Sequence, residues 1–375
     1  MNDTAVIQAA MNQAVQDGVF PGGVLAARWE GEIKLLVTAG SLSTAPGSQP
    51  VQASTIYDLA SLTKPLATAT SILLLVQAGQ LELDGVLGNV LVELKGTPIG
   101  SATARDLLTH RSGLPGWRPL YERLIAEGVA WGREEPSVVR QAVMRLIRDE
   151  PLVSTIGEQA LYSDLGFMLL GIAVERVSGR LLDEYFHQAV ALPLNAAPLF
   201  FNRAAPAGSA SQVSQLSFRI APTEWDEWRR RHLKGEVHDE NAAAMGGVAG
   251  HAGLFGTAES VLAVSGAWLT AYHDDRSFLD RHLVRQFTTK QSQPQQSSWV
   301  LGWDTPTVPS SSGTHFSRES FGHLGFTGTS LWIDPQRRLE VVLLTNRVHP
   351  SRKNDSIRAF RPFIHDLVYQ AMTRA

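Results

Sequence analysis

A serine and a lysine stand three positions apart in the segment DLASLTKPLAT, residues 58–68. In a helix that begins near Ser61, positions i and i+3 share one face, so the hydroxyl of Ser61 and the amine of Lys64 would be neighbours. A buried, deprotonated lysine could take the serine proton, and the helix N-terminus could stabilise an oxyanion. Alternatively, Ser61 only caps the helix and Lys64 points to water. This pair is the first candidate for nucleophilic catalysis.

The composition limits the classes of function that such a pair could serve. The 375 residues exceed the usual size of one hydrophobic core, which predicts two lobes or one core with a large insertion. Because the chain carries 33 basic and 36 acidic residues, no surface that binds nucleic acid or an anionic membrane is expected. The absence of cysteine excludes disulfides and thiolate chemistry.

The apolar segments are too short to predict a membrane span. The N-terminal sequence MNDTAVIQAAMNQAVQDGV lacks the basic and apolar regions of a secretory signal. We therefore expect a cytoplasmic protein, or a periplasmic or secreted one if a leader has been removed.

Hydrophobic spacing predicts that both ends of the chain contribute to one sheet. A helix is predicted over residues 4–17, followed by two short strands in GGVLAARWEGEIKLLVTAGSLS. A second hairpin is predicted in GTSLWIDPQRRLEVVLLTN, and its last strand is apolar on both faces, so both faces must be covered. A C-terminal helix over DSIRAFRPFIHDLVYQAMTRA supplies part of that cover.

The sequence between these ends reads differently. Residues 61–294 carry mostly helical patterns, such as SILLLVQAGQLELD and LGFMLLGIAVERVSG, joined by Gly and Pro loops. We therefore expect one catalytic unit of α/β class over residues 1–375. Residues 1–60 and 295–375 would form the sheet lobe, and residues 61–294 an inserted helical lobe.

The order SLTK, YSD and HLG resembles the serine β-lactamase and penicillin-binding protein superfamily, especially its class C-like branch of carboxypeptidases, D-aminopeptidases and esterases. The segments LLTHRSGLP, GHAGLFGT and GFTGTSLWIDP strengthen the resemblance, which covers nearly the whole chain. It implies a β-lactamase/transpeptidase-like fold: an antiparallel sheet flanked by N- and C-terminal helices, with a large, mostly helical insertion. It implies no cofactor.

The resemblance also assigns catalytic roles. Ser61 matches the nucleophile, and Lys64 and Tyr162 match the two residues that share proton transfer. The backbone N–H groups of Ser61 and Phe326 match the oxyanion hole. Two alternatives remain open for the tyrosine: Tyr162 may only pack against the following helix, and a second Tyr-x-Asp occurs at Tyr272, where we expect an ordinary helix end.

Four further residues are predicted to bind substrate. Asp164 replaces the asparagine common in the family; it cannot donate to a carbonyl unless protonated, and it would favour the charged form of Lys64. His323 takes the place of a lysine and would attract a carboxylate less firmly. We expect His323 to open a strand along which Gly325 lets the substrate approach. A second His-x-Gly occurs at His251, where the sequence predicts a loop.

The fourth substrate residue, His238, lies in the segment GEVHDENA. Its neighbours Glu236, Asp239 and Glu240 could together suggest a metal cluster, but adjacent residues point apart and no helical ligand spacing is present. We therefore expect no metal, and a loop that lines the pocket.

These observations predict a serine hydrolase that acts through an acyl-enzyme on the ester or amide carbonyl of a small acyl substrate. Esterase or peptidase activity ranks above β-lactamase activity because of Asp164 and His323. β-Lactamase or penicillin-binding activity remains an alternative, as does a non-catalytic relic that binds cell-wall fragments. An α/β-hydrolase is excluded because the chain contains no G-x-S-x-G.

Overall fold

A computed structural model describes residues 3–129, 134–204, 216–291, 294 and 297–373. The strands are β1 Gly22–Trp29, β2 Glu32–Gly40, β3 Tyr57–Asp58, β4 Leu199–Phe201, β5 Trp225–Asp226, β6 Arg231–His232, β7 Leu254–Gly256, β8 Phe321–Leu324, β9 Ser330–Asp334 and β10 Leu339–Thr345. The helices are α1 Asp3–Gln16, α2 Thr70–Gln77, α3 Ala104–Leu108, α4 Leu120–Ala126, α5 Pro136–Arg148, α6 Asp164–Ser178, α7 Leu182–Phe186, α8 Glu240–Ala244, α9 Ala258–His273, α10 Arg281–Thr288 and α11 Ile357–Thr373.

Both ends of the chain meet in a five-stranded antiparallel sheet with the order β2-β1-β10-β9-β8. The hairpin between β1 and β2 turns at Glu30 and Gly31, whose φ angles are +50° and +86°. Two positive φ values in succession suit the tight turns that match the twist of paired strands. The two predicted hairpins are therefore confirmed, and β10 joins them by pairing with both β1 and β9.

The two faces of the sheet are covered by different layers. Val341 and Leu343 of β10 pack in a core with α1 and α11, whereas Val342 and Leu344 pack in the larger core of the helical part. Helix α9 lies against β1 and β10 on that second side. The prediction that β10 is covered on both faces is confirmed, but the two terminal helices, which were expected to supply that cover, both lie on one face, and α9 covers the other.

The chain between β2 and β8 is mostly helical but departs from the sequence prediction in two places. Helix α2 ends at Gln77, earlier than the pattern SILLLVQAGQLELD indicated, because Gly79 adopts a left-handed φ of +67° and terminates the helix. A small sheet of order β3-β7-β4, which was not predicted, fixes the segment before Ser61. No helix within the described residues is long and apolar enough to cross a membrane.

Candidate active site

Ser61 lies in a tight turn that follows strand β3. Residues Ala60–Leu62 form a single 3₁₀ turn, and Ala60 has a φ of +47°, which is uncommon for a residue with a side chain. The turn is held because the N–H of Ala60 donates to Asp58 Oδ1 at 2.8 Å and the N–H of Leu59 donates to the carbonyl of Leu254 on β7 at 2.9 Å. The nucleophile candidate is therefore presented by a fixed, strained turn.

The helix after Ser61 is not the regular α-helix that the sequence predicted. Lys64–Ala69 is π-helical, and the α-helical geometry begins only at Thr70. Pro65 has no N–H to donate to the carbonyl of Ser61, so the regular hydrogen bond is missing at the start of the helix. The predicted neighbourhood nevertheless forms, since Lys64 Nζ lies 3.0 Å from Ser61 Oγ.

The amine of Lys64 is completely buried among polar groups. It donates to Ser61 Oγ and, at 3.1 Å, to the carbonyl of His251, and it forms an ion pair with Asp164 Oδ1 at 2.7 Å. The alternative in which Lys64 points to water is therefore wrong for this structure. His251 belongs to the glycine-rich segment that was expected to form a tight loop against the active site, and its backbone carbonyl completes the environment of the amine.

Tyr162 is the second side chain that contacts the hydroxyl of Ser61. Its hydroxyl donates to Ser61 Oγ at 2.8 Å. The following residue, Ser163, caps helix α6, and its own N–H donates to Nδ1 of the buried His110 at 3.0 Å. The ring of Tyr162 also packs on the rings of His110 and Trp299, at centroid distances of 4.6 and 5.2 Å. The cap and the aromatic contacts together fix the direction of the phenol.

The rival Tyr272 lies in the last turn of α9, as expected for an ordinary helix end.

Burial and neighbouring charges determine the protonation of Lys64 and Tyr162 before substrate binds. Burial lowers the pKa of Lys64, but Asp164 and Tyr162 outweigh it and raise that pKa above its usual 10.5. Burial raises the pKa of Tyr162 above its usual 10, although Lys64 acts in the opposite direction. The resting site therefore holds an ammonium on Lys64 and a neutral phenol on Tyr162.

The two residues expected to form the oxyanion hole, Ser61 and Phe326, line the same cavity. Neither the N–H of Ser61 nor that of Phe326 donates a hydrogen bond to any of the described residues. Phe326 follows Gly325 in a turn closed by the hydrogen bond from Gly328 N–H to the Gly325 carbonyl at 3.1 Å. Both residues line the cavity, so both N–H groups are available for an oxyanion there.

The structure corrects the explanation given for Gly325. A Cβ atom at this position would lie 1.9 Å from Thr329 Oγ1 and 2.6 Å from the carbonyl of Leu59. The glycine is therefore required because the turn packs against the segment that carries Ser61, rather than because substrate approaches it. Its neighbour Thr329 donates to the same Leu59 carbonyl at 3.1 Å, which joins the two segments.

The prediction that His323 opens a strand is wrong. His323 is the third residue of β8, which ends at Leu324 before the turn begins. Its Nδ1 donates to the carbonyl of Leu324 at 2.8 Å, and its buried Nε2 has no partner among the described residues. Burial and the nearby charge of Lys64 lower the pKa of His323 to about 3, so the ring is neutral at physiological pH.

The segment with His238 does line the cavity, but its charged residues have partners other than a shared ion. His238 Nε2 lies 2.8 Å from Glu224 Oε1, Glu236 pairs with Arg231, and Asp239 Oδ1 lies 2.7 Å from His251 Nε2. The Glu240 carboxyl pairs with Arg352 at 2.7 Å. No group of three potential metal ligands gathers within the described residues.

The cavity in front of Ser61 has a volume of about 410 Å³. Its aromatic wall consists of the partly exposed side chains of Trp117 and Phe326. The other lining residues are Ala60, Ser61, Tyr162, Asp164, His238, Asp239, Glu240, His251, Ala252 and Arg352.

Sequence reasoning did not anticipate Trp117, Arg352, His110 or His251 as part of this environment. For the two histidines a signal was present, since they lie in the characteristic segments LLTHRSGLP and GHAGLFGT.

The chain is similar to known proteins over most of its length. The β-lactamase family model matches residues 7–361. A putative D-alanyl-D-alanine carboxypeptidase of Escherichia coli K12 is 31% identical over 318 residues, which cover 80% of this chain and 71% of that protein. An N-acetylmuramyl-L-alanine amidase of Bacillus subtilis is 30% identical over 351 residues, with 88% and 78% covered.

Solved structures show the same architecture. EstCE1, described as a hydrolase with promiscuous acyltransferase activity, superimposes with a TM-score of 0.74 at 21% identity, over 98% of both chains. The β-lactamase/transpeptidase-like fold implied by the resemblance is thereby confirmed. The protein is a serine hydrolase, and its chain belongs to the β-lactamase family.

Proposed function

We propose that the protein hydrolyses the ester or amide bond of a small acyl substrate, through an acyl-enzyme on Ser61. The observation that carries this proposal is the position of Ser61 Oγ, which lies 3.0 Å from Lys64 Nζ and 2.8 Å from Tyr162 Oη. A nucleophile within hydrogen-bond reach of two proton-transferring groups is the arrangement that covalent catalysis requires.

The residues take separate parts in the acylation step. Ser61 Oγ attacks the carbonyl carbon, and Lys64 receives the proton that the hydroxyl loses. Tyr162 keeps its proton in the resting site and is placed to pass it to the leaving group. The N–H groups of Ser61 and Phe326 bind the oxyanion that develops. Water then attacks the acyl-enzyme, and the same groups act in reverse.

The charges around the cavity favour substrates that carry no carboxylate. His323 is neutral, and Arg352, the one Lys or Arg among the described residues that line the cavity, already pairs with Glu224 and Glu240. Asp239 is ionised: burial raises its pKa, but His251, the N–H of Ala242 and Lys64 together outweigh burial and lower that pKa below its usual value. An anionic substrate would meet this carboxylate without a free cation to compensate.

We therefore place esterase or amidase activity above β-lactamase activity, because β-lactam antibiotics carry a carboxylate. The relative named as an amidase supports an amide substrate, whereas a carboxypeptidase that anchors a terminal carboxylate fits this cavity less well.

The proposal is tested by comparing 4-nitrophenyl butyrate with the mono-4-nitrophenyl ester of glutaric acid, which adds a terminal carboxylate, and with nitrocefin. We expect kcat/KM to be at least about tenfold higher for the neutral ester, because the cavity wall repels the carboxylate. Glu240→Gln should narrow that ratio, since it removes one negative charge from the cavity wall and leaves Arg352 paired with Glu224 alone. Equal or faster turnover of the anionic ester or of nitrocefin by the unaltered protein would contradict the proposed preference.

A further inference from the structure

The structure leaves one proton of the proposed reaction without a destination. Lys64 is an ammonium in the resting site, so it must release a proton before it can accept the one from Ser61. The phenol of Tyr162 is also protonated. Neither residue that the motifs assign to proton transfer is a free base when the substrate arrives.

We propose that Asp164 accepts this proton, so that its carboxyl group, acting through Lys64, is the proton store of the acylation step. This inference rests on the proposed function. It gives Asp164 a role different from the substrate contact that the sequence suggested. It also gives a reason for an aspartate at a position where the family commonly has asparagine, since a carboxylate can hold a proton and an amide cannot.

The contacts of Lys64 Nζ support the transfer. Besides the phenol of Tyr162, its polar neighbours include Asp164 Oδ1 at 2.7 Å, Ser61 Oγ at 3.0 Å and the His251 carbonyl at 3.1 Å. A backbone carbonyl accepts a hydrogen bond but is too weak a base to accept the proton itself. The Lys64 side chain is completely buried, so bulk water does not compete for its protons. Asp164 is therefore the base in direct contact with the ammonium.

The other titratable groups around the pair do not take this role. Burial lowers the pKa of His110 well below its ordinary value and that of His323 to about 3, so both rings are neutral, and the positive charge of Lys64 adds to both effects. Asp239 is ionised, but its Oδ1 is already bound by His251 Nε2 and by the N–H of Ala242.

The position of Asp164 suits a carboxylate that is charged at rest. It is the first residue of helix α6, where the free N–H groups favour a negative charge, and the Lys64 ammonium lies beside it. When the oxyanion forms, that negative charge moves to the oxyanion hole. Asp164 is then no longer needed to balance the positive charge of Lys64, which favours a neutral carboxyl group on Asp164.

Each bond that forms in the acylation step is matched by one that breaks. The Oγ–H bond of Ser61 breaks as Oγ bonds to the carbonyl carbon, and the proton forms a new N–H bond on Lys64. One of the original N–H bonds of Lys64 breaks, and that proton forms an O–H bond on Asp164. Lys64 remains an ammonium, Asp164 becomes neutral, and one unit of negative charge appears on the substrate oxygen. On collapse, Tyr162 protonates the leaving group and regains a proton from Asp164 through Lys64.

The test is the pH dependence of kcat/KM for 4-nitrophenyl butyrate in the parent protein, Asp164→Asn and Asp164→Glu. The acid limb of the parent profile, along which activity falls as the pH is lowered, is the reference. In Asp164→Asn, Lys64 must itself be neutral to act, so the acid limb should move up by at least about one pH unit. Asp164→Glu should keep the acid limb within about one unit of the parent, even if the rate falls. Asp84→Asn, at an exposed pair with Arg105, is the matched control and should leave the profile unchanged.

Labelling of Ser61 by a fluorophosphonate, measured at each pH, separates the possible failures. An unmoved acid limb in a folded, active Asp164→Asn protein overturns the inference while the proposed function stands. A second case is a folded Asp164→Asn protein that neither hydrolyses the ester nor labels at any pH. The inference then holds only if Asp164→Glu retains the parent profile. It is overturned if Asp164→Glu is equally inactive. A parent protein that neither labels nor turns over refutes the proposed function and this inference together.

Discussion

The phenol oxygen of Tyr162 lies 2.8 Å from the hydroxyl oxygen of Ser61, although 101 residues separate the two in the chain. The turn after β3 fixes Ser61, and the cap of helix α6 fixes Tyr162. Since Ser61 Oγ receives hydrogen bonds from both Tyr162 and Lys64, removal of either partner should change the chemistry without requiring the fold to change.

Tyr162→Phe should lower kcat for ester hydrolysis by about 100- to 10,000-fold, the usual range for loss of a positioned acid or base. The ring would keep its contacts with His110 and Trp299, so circular dichroism and the melting temperature should stay close to those of the parent. A variant that retained most of its kcat would show that the phenol packs beside Ser61 without taking part in proton transfer.

The pH profile should be flat on its alkaline side. Burial raises the pKa of Tyr162 above 10, and the pKa of Lys64 lies above 10.5 because Asp164 and Tyr162 outweigh burial. A group with a raised pKa keeps its proton to a higher pH, so both residues should stay protonated from neutral pH to about pH 9.5. We expect constant kcat/KM across that range, after correction for spontaneous ester hydrolysis. A decline with a midpoint between about pH 7 and 8.5 would mean that one of these groups, or another essential acid, titrates there.

Phe326→Pro should remove an oxyanion donor while preserving the turn. Phe326 is the second residue of the turn Gly325–Gly328, where proline is favoured, and proline has no N–H. We expect kcat/KM to fall by about 100- to 1,000-fold. Phe326→Ala is the control, because it keeps the N–H and loses only the aromatic wall, and it should lose less than about tenfold, mainly through KM. Equal losses in the two variants would assign the effect to the ring and leave the oxyanion hole without support.

A buried ion pair joins strands β1 and β10 of the five-stranded sheet. Glu340 of β10 is 1% exposed and pairs with Arg28 of β1 through two hydrogen bonds of 2.6 and 2.7 Å, while Ser265 of α9 donates to the same carboxyl group. Arg28→Met should lower the free energy of unfolding by about 3–5 kcal/mol, because it leaves a buried carboxylate without its partner.

The double variant Arg28→Met, Glu340→Leu should recover much of that loss in urea denaturation. Asp275→Ala, which breaks an exposed pair with Arg281, should change the free energy by less than about 1 kcal/mol. A loss of similar size in Arg28→Met and Asp275→Ala would show that burial of the first pair has little energetic effect.

The local features of this fold were readable in the sequence. The spacing of Ser61 and Lys64 predicted their contact, and apolar runs predicted the two hairpins and the terminal helices, because these features depend on neighbours within a few residues. The positive φ of Ala60 and the π-helical stretch after Lys64 depend instead on hydrogen bonds to distant segments and on Pro65, so helical periodicity alone could not predict them.

The rest of the site required tertiary structure. The carbonyl of His251 reaches Lys64 across 187 residues, and the resemblance supplied residue types but no contacts of that kind. The lowered pKa of His323 likewise follows from its burial beside the rings of Tyr162 and Trp299, which a single sequence does not encode.

The central claim, that Ser61 is an activated nucleophile, is tested most directly by intact-protein mass spectrometry after incubation with a fluorophosphonate. We expect one adduct per chain, located on the peptide that contains Ser61, and no adduct in a folded Ser61→Ala variant. Labelling of the Ser61→Ala variant to the same extent as the parent, or a parent protein that remains unlabelled, would contradict it.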